Sequence, residues 1–209
     1  MYQLYGRRNT GSMVLEAVLE ETAAPYELID VERDQTGRPS KAYLKINPLG
    51  QVPSFRLPDG SIMTESAAIA IYLADKHSAA RLSPPPTSPL RAEFLRWMIY
   101  LAANVYMSDL RVYYPARYTA NPDDPGSVKA AALDAMAREW EIYAEALGER
   151  PYTLGDACSV VDIYAAMLAT WNLDVPAFFR KHPNVKALYD RVVARPAVAR
   201  VWERHKVEC

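Results

Sequence analysis

Apolar positions recur in two different rhythms along the chain. In the first 78 residues they come in short runs broken by turns. Residues 2–5 form an aromatic and apolar run, 7–11 a polar turn, and 13–21 a helix with Val14, Ala17 and Val18 on one side. Residues 26–31 alternate and end in charge, 41–49 read as a short helix closed near Pro48, 53–57 and 61–63 as strands, and 65–76 as a helix. The resulting order is β-α-β-α-β-β-α, and its opening β-α-β requires a crossover that favours a parallel strand pair. Residues 79–89 are rich in proline and serine and cannot continue a helix. Beyond them the spacing is helical throughout, over 90–118, 127–147, 161–173, 186–194 and 197–205. The expected domains are therefore 1–78, α/β; 79–89, a linker; and 90–209, all-helical.

Composition narrows the function classes. With 209 residues, half of them apolar, the chain can bury a substantial core. A net charge of −1 gives no general attraction to nucleic acid or to an anionic membrane surface. The N-terminus lacks the apolar core of a signal peptide, and no window approaches the roughly 20 apolar residues of a membrane span, so a cytoplasmic location is expected. Two cysteines, Cys158 and Cys209, leave no disulfide framework and no Cys-x-x-Cys dithiol. Cys158 reads as a small buried residue and Cys209 as an exposed tail thiol. His77, His182 and His205 lie apart in the sequence, which argues against a metal site and against a Ser-His dyad.

The most informative segment is Asn47-Pro48-Leu49-Gly50-Gln51-Val52-Pro53-Ser54-Phe55, followed by Thr64-Glu65-Ser66-Ala67-Ala68-Ile69. Pro53 removes a ladder donor where a strand begins, and Val52-Pro53 is a candidate cis peptide, which costs an X-Pro bond only about 0.5–1 kcal/mol. Glu65-Ser66 opens an apolar helix, which brings a carboxylate, a hydroxyl and the first free helix amides together. Plain capping is the competing reading of that pair. This order of elements resembles a thioredoxin-like domain. With the long helical half it resembles the glutathione S-transferase superfamily over the whole chain. Ser159-Val160-Val161-Asp162 has the form of a capping box, which the resemblance places at the buried start of a central helix as a folding element.

The resemblance implies a set of residue roles. Glutathione is the co-substrate, with no metal, and its thiolate is the nucleophile. Val52 would pair with its cysteinyl backbone next to Pro53, Glu65 would meet its γ-glutamyl ammonium, and Ser66 with the helix amides would meet the carboxylate, with Gln51 beside them. Arg38 is the first choice for the glycyl carboxylate, ahead of Lys41 and Lys45. The sulfur activator is expected in the loop 6–12, with Ser12 the first choice as a hydroxyl capping the helix and Thr10 the reserve. Arg8 would face the mouth of an electrophile pocket. Tyr106, Leu110, Tyr113 and Arg117 fall at i, i+4, i+7 and i+11, a stripe that core packing would also explain, with Trp171 a candidate far wall. The implied activity is conjugation of glutathione to small hydrophobic electrophiles. Reduction of disulfides or peroxides by bound glutathione, and a non-catalytic binding module of the same fold, are the alternatives. A homodimer follows from the same resemblance, with helix 65–76 of one subunit meeting the segment Phe94-Leu95-Arg96-Trp97 of the other.

Overall fold

A computed structural model describes residues 1–121 and 123–207, so Cys209 lies outside the described residues. The chain forms two compact units, one of residues 1–86 together with 193–207, the other of residues 87–192.

The first unit contains a four-stranded sheet in the order β2-β1-β3-β4, built from β1 (Tyr2–Gly6), β2 (Tyr26–Asp30), β3 (Ser54–Arg56) and β4 (Ile62–Met63). β1 and β2 run parallel with Leu4 opposite Leu28, as a β-α-β crossover requires, while β1–β3 and β3–β4 are antiparallel. Between the strands lie α1 (Ser12–Glu21) and α2 (Lys41–Leu44), and α3 (Ser66–Lys76) follows the sheet. Residues 12–19 of α1 are all buried, so this helix is enclosed rather than amphipathic at a surface. Helix α2 is one turn long, shorter than the expected 41–49; Ser40 caps it by accepting the Tyr43 amide at 3.2 Å.

The second unit is helical: α4 (Arg91–Tyr100), α5 (Tyr106–Tyr113), α6 (Pro125–Leu147), α7 (Val160–Ala169), α8 (Val175–Lys181) and α9 (Pro183–Val193). The expected single helix over 90–118 is divided. A π-helical turn spans Leu101–Val105, and α5 stops at Tyr113 because Tyr114 leaves the helical region ahead of Pro115. Helix α8 was not anticipated, although Asp174 signals it by accepting the Ala177 amide at 2.8 Å ahead of a first-turn proline. The core of this unit is aromatic, with Trp97 edge-on to Tyr143 at 5.4 Å and Trp140 edge-on to Tyr143 at 5.7 Å.

The capping box at Ser159 is present. Asp162, wholly buried, accepts from the Ser159 amide and hydroxyl on one oxygen and from the Thr153 amide and hydroxyl on the other. Burial pushes its carboxyl upward and these four donors oppose the push. Cys158 is buried beside it.

The last helix, α10 (Pro196–His205), lies within the stretch expected to be one helical domain, yet it packs with the first unit against α1. Val198, Val201 and Trp202 of α10 are buried, and three acidic residues of α1 take arginines at its edge. Arg195 grips Glu21 through two hydrogen bonds of 2.8 and 2.7 Å, Arg200 meets Glu20 at 3.1 Å, and Arg204 reaches Glu16 at 2.9 Å.

Candidate functional site

The segment ahead of β3 is held from behind. Asn47 Nδ2 and the Tyr43 hydroxyl both donate to the Gln51 carbonyl, at 2.9 and 2.6 Å, and the same hydroxyl lies 2.8 Å from Ser54 Oγ. Asn47 Oδ1 also accepts the Leu49 amide, and Gly50 takes the left-handed backbone this turn needs. Gln51 is thereby fixed through its backbone with its side chain exposed. The Val52–Pro53 bond is cis, and neither the N–H nor the C=O of Val52 bonds to any described residue. A half-buried residue with both backbone groups open is a short unused strand edge.

Glu65 occupies the N-cap of α3 with φ 65° and ψ 102°, in the region that non-glycine residues rarely enter. Its carboxylate caps nothing, is exposed, and takes no ion pair or hydrogen bond from any described residue. The competing reading of Glu65 as a simple cap is thus excluded. Ser66, directly after it, is buried as the first residue of the helix. A carboxylate held in a disfavoured backbone conformation, without a partner among the described residues, lies here beside a helix N-terminus, which could receive a cationic and an anionic group.

The loop between β1 and α1 places the two hydroxyls differently from the expectation. Gly11 holds the N-cap position of α1, and Ser12 is its first helical residue. Ser12 Oγ is fully buried, accepting from the Arg7 amide at 3.2 Å and donating to the Arg7 carbonyl at 3.0 Å. A Cβ on Gly6 would stand 2.5 Å from that oxygen, so glycine is required at the end of β1. Thr10 is only partly buried. Its hydroxyl donates to the Arg7 carbonyl at 2.7 Å and lies 3.0 Å from Ser12 Oγ. Since two hydroxyls serve the one carbonyl, the Thr10 proton can turn elsewhere without leaving it unsatisfied. Arg8 donates from Nε to the His205 carbonyl at 3.1 Å, and so is tethered to α10. Arg38 is exposed in a turn organised by Asp34, whose side chain accepts the Arg38 amide at 3.0 Å.

Two family models match the chain: the glutathione S-transferase N-terminal domain over residues 12–76 and the glutathione S-transferase C-terminal domain over 104–196. An uncharacterized GST-like protein, YncG, of Escherichia coli K12 is 31% identical over 208 residues, covering 99% of this chain and 100% of its own. The glutathione S-transferase GstB of the same organism is 30% identical over 210 residues, covering 96% and 97%. A glutathione transferase homologue from Sulfitobacter, solved with bound glutathione, superposes with a TM-score of 0.87 at 27% identity over 98% of each chain. The chain belongs to the glutathione S-transferase superfamily.

In this member of the superfamily the helical unit gathers part of the expected aromatic set. Tyr106 at the start of α5 lies 5.1 Å from Trp171, and the Tyr113 hydroxyl donates to the Trp171 carbonyl at 2.6 Å. Leu110 is half-buried on the same helix. Arg117 is separated from this stripe, because α5 has ended; it stacks on Tyr114 at 4.0 Å from a short 3₁₀ turn. Asp109 on α5 is deeply buried, with neither carboxylate oxygen bonded to a described residue. Burial above all, then Glu139, pushes its carboxyl well above the usual carboxylate range.

Tyr43, Asn47 and His205 were not singled out in the sequence as parts of the site. Asn47 stood inside the quoted motif, where an Asn-Pro ahead of a glycine is a turn signal. Tyr43 and His205 carry no local signal, since their roles depend on residues brought together by the fold. No helix of the described residues is long and apolar enough to cross a membrane.

Proposed function

We propose that this chain conjugates the thiolate of glutathione to small hydrophobic electrophiles, with the Glu65 carboxylate as the anchor of the peptide. The observation that carries the reading is Glu65 itself, exposed, uncapped and unpaired at φ 65°. A γ-glutamyl ammonium supplies the missing cation, and the first amides of α3 with Ser66 meet the neighbouring carboxylate. The open N–H and C=O of Val52 pair with the cysteinyl residue as a strand edge would, beside Pro53 and Gln51. Arg38 lies on the exposed turn before α2 and takes the glycyl carboxylate.

The partly exposed Thr10 hydroxyl donates to the sulfur, while the enclosed Ser12 fixes the loop that presents it. A donor to the charged form lowers the thiol pKa, and the thiolate then attacks the electrophile, whose leaving group departs with its electron pair. Within the helical unit, Tyr106, Leu110, Tyr113 and Trp171 offer an apolar surface suited to a hydrophobic electrophile. The protein works in the cytoplasm as a homodimer. Phe94 and Trp97 are wholly buried within the helical unit, so the contact with a second copy falls to the exposed Leu95, Arg96 and Ile99 of α4.

Calorimetric titration with glutathione, followed by turnover of an activated aryl halide, tests the reading. Saturable binding with glutathione-dependent release of halide is the expected result. Absence of binding would overturn it, and binding without turnover would leave a glutathione-holding module.

A further inference from the structure

His205, the last residue of α10, is 3% exposed and stands 196 residues away from the loop it touches. Its Nδ1 accepts the Asn9 amide at 2.9 Å. A ring nitrogen that accepts carries no proton, so the proton sits on Nε2, which faces Glu16 Oε1 at 2.8 Å and donates to it. Glu16 is 1% exposed, and its other oxygen takes Arg204 Nη1. The backbone carbonyl of His205 accepts Arg8 Nε. One residue of the C-terminal helix therefore holds both Arg8 and Asn9, the two positions immediately ahead of Thr10. Asn9 has φ 52°, in the left-handed region that asparagine enters more readily than other side-chain-bearing residues.

We propose that His205 is a positioning residue for the sulfur-activating loop: as the neutral, Nε2-protonated imidazole it pins the Asn9 amide and so aims the Thr10 hydroxyl. The sulfur half of this inference rests on the reading of Thr10 given above. The physical link is short. Fixing the Asn9 amide fixes the backbone that carries Thr10, and a hydroxyl displaced by a fraction of an ångström or turned by tens of degrees donates poorly. Glu16 holds the imidazole in the required tautomer, as a carboxylate does wherever a histidine must present one particular nitrogen. Loss of the acceptor at Nδ1 would leave the Asn9 amide without this partner and release the loop. The charged and titratable groups around the ring are Glu16 and, beyond Arg204, Glu20 on α1; Arg204 on α10; Arg8 on the loop; and Tyr26 of β2, whose hydroxyl accepts from Arg204 at 3.1 Å.

Two substitutions divide the functions of the ring. In His205→Asn the amide oxygen stands near the Nδ1 position and still accepts from Asn9, but the side chain falls short of Glu16. In His205→Gln a donor still reaches Glu16 and the acceptor for Asn9 is gone. The measurements are hydrogen exchange of the Asn9 amide in the ligand-free protein, the pH titration of thiolate absorbance in the glutathione complex, and kcat against KM. His205→Gln should speed Asn9 exchange about tenfold, raise the apparent pKa of bound glutathione and lower kcat several-fold with little change in KM, as loss of one hydrogen bond implies. His205→Asn should restore most of each. Parental Asn9 exchange in His205→Gln would overturn the proposal, as would equal damage in both variants. Thr10→Ala separates the two failures. An unchanged thiolate pKa in Thr10→Ala overturns the choice of sulfur donor, while fast Asn9 exchange in His205→Gln still upholds the hold on the loop.

Discussion

Two helix starts in the first unit, α1 and α3, use their polar residues in opposite ways. At α1 the hydroxyl of Ser12 is enclosed and turned back onto both backbone groups of Arg7. At α3 the carboxylate of Glu65 is exposed and bonded to no described residue, in a backbone conformation the chain must hold against its preference. A serine or glutamate at a helix start is the same sequence signal in both places. Exposure and the count of protein partners distinguish a residue that stabilises its own loop from one left open to a ligand.

Substitutions at each start break or sharpen that contrast. The largest effect is expected from Glu65→Ala. Loss of a charge partner for the γ-glutamyl ammonium should weaken glutathione binding by about 2–5 kcal/mol, read by calorimetry. The melting temperature should stay close to the parent's, because the carboxylate caps nothing; parental affinity would make the two helix starts equivalent. Thr10→Ala comes next. It should lower turnover of a model electrophile roughly ten- to a hundredfold, about 1.5–3 kcal/mol, and raise the apparent pKa of bound glutathione, followed by thiolate absorbance. Ser12→Ala should show the reverse balance, a loss of about 1–3 kcal/mol in urea unfolding as the Arg7 amide loses its partner, with a smaller change in the thiolate pKa. If Ser12→Ala raised that pKa more than Thr10→Ala, the roles of the two hydroxyls would be exchanged.

The same contrast appears between two carboxyls of the helical unit, and it predicts an effect that depends on pH. Asp162 has four donors and Asp109 none among the described residues. For Asp109 the folded pKa lies above the unfolded one, so the folded state binds the proton more tightly. Its contribution is present at pH values below the ordinary carboxylate range and is lost as pH rises toward the raised folded value. Asp109→Asn should therefore gain stability relative to the parent across that window, by at most about 1.4 kcal/mol per pH unit, in denaturant titrations run at several pH values.

Much of the candidate site was legible as a motif. Gln51-Val52-Pro53 and Glu65-Ser66 were read from residue type and spacing, because a proline at a strand start and polar residues at a helix start have local physical meanings. A hydroxyl in the first loop was legible, but not which one is enclosed and which is partly exposed. Whether Ser12 or Gly11 is the cap depends on a one-residue shift of the helix start, which local propensity does not resolve. Arg117 was placed on the α5 stripe by periodicity, and the helix ended before it at Tyr114-Pro115.

The sequence by itself determined the alternation of short strands and helices followed by long helices, the parallel β-α-β opening, the Ser159–Asp162 capping box and the polar residues that begin α3. These follow from periodicity, turn chemistry and capping, all of which act within a few residues. Tertiary structure alone decided that α10 joins the first unit, that Tyr43 and Asn47 support Gln51, and that His205 and Glu16 hold the loop carrying Thr10. Each of these depends on which side chain is buried opposite which, across as many as 197 residues of chain for Arg8 and His205. Burial makes such pairings obligatory, because a buried polar group without a partner costs about 1–3 kcal/mol, yet no local pattern in the chain encodes the partner.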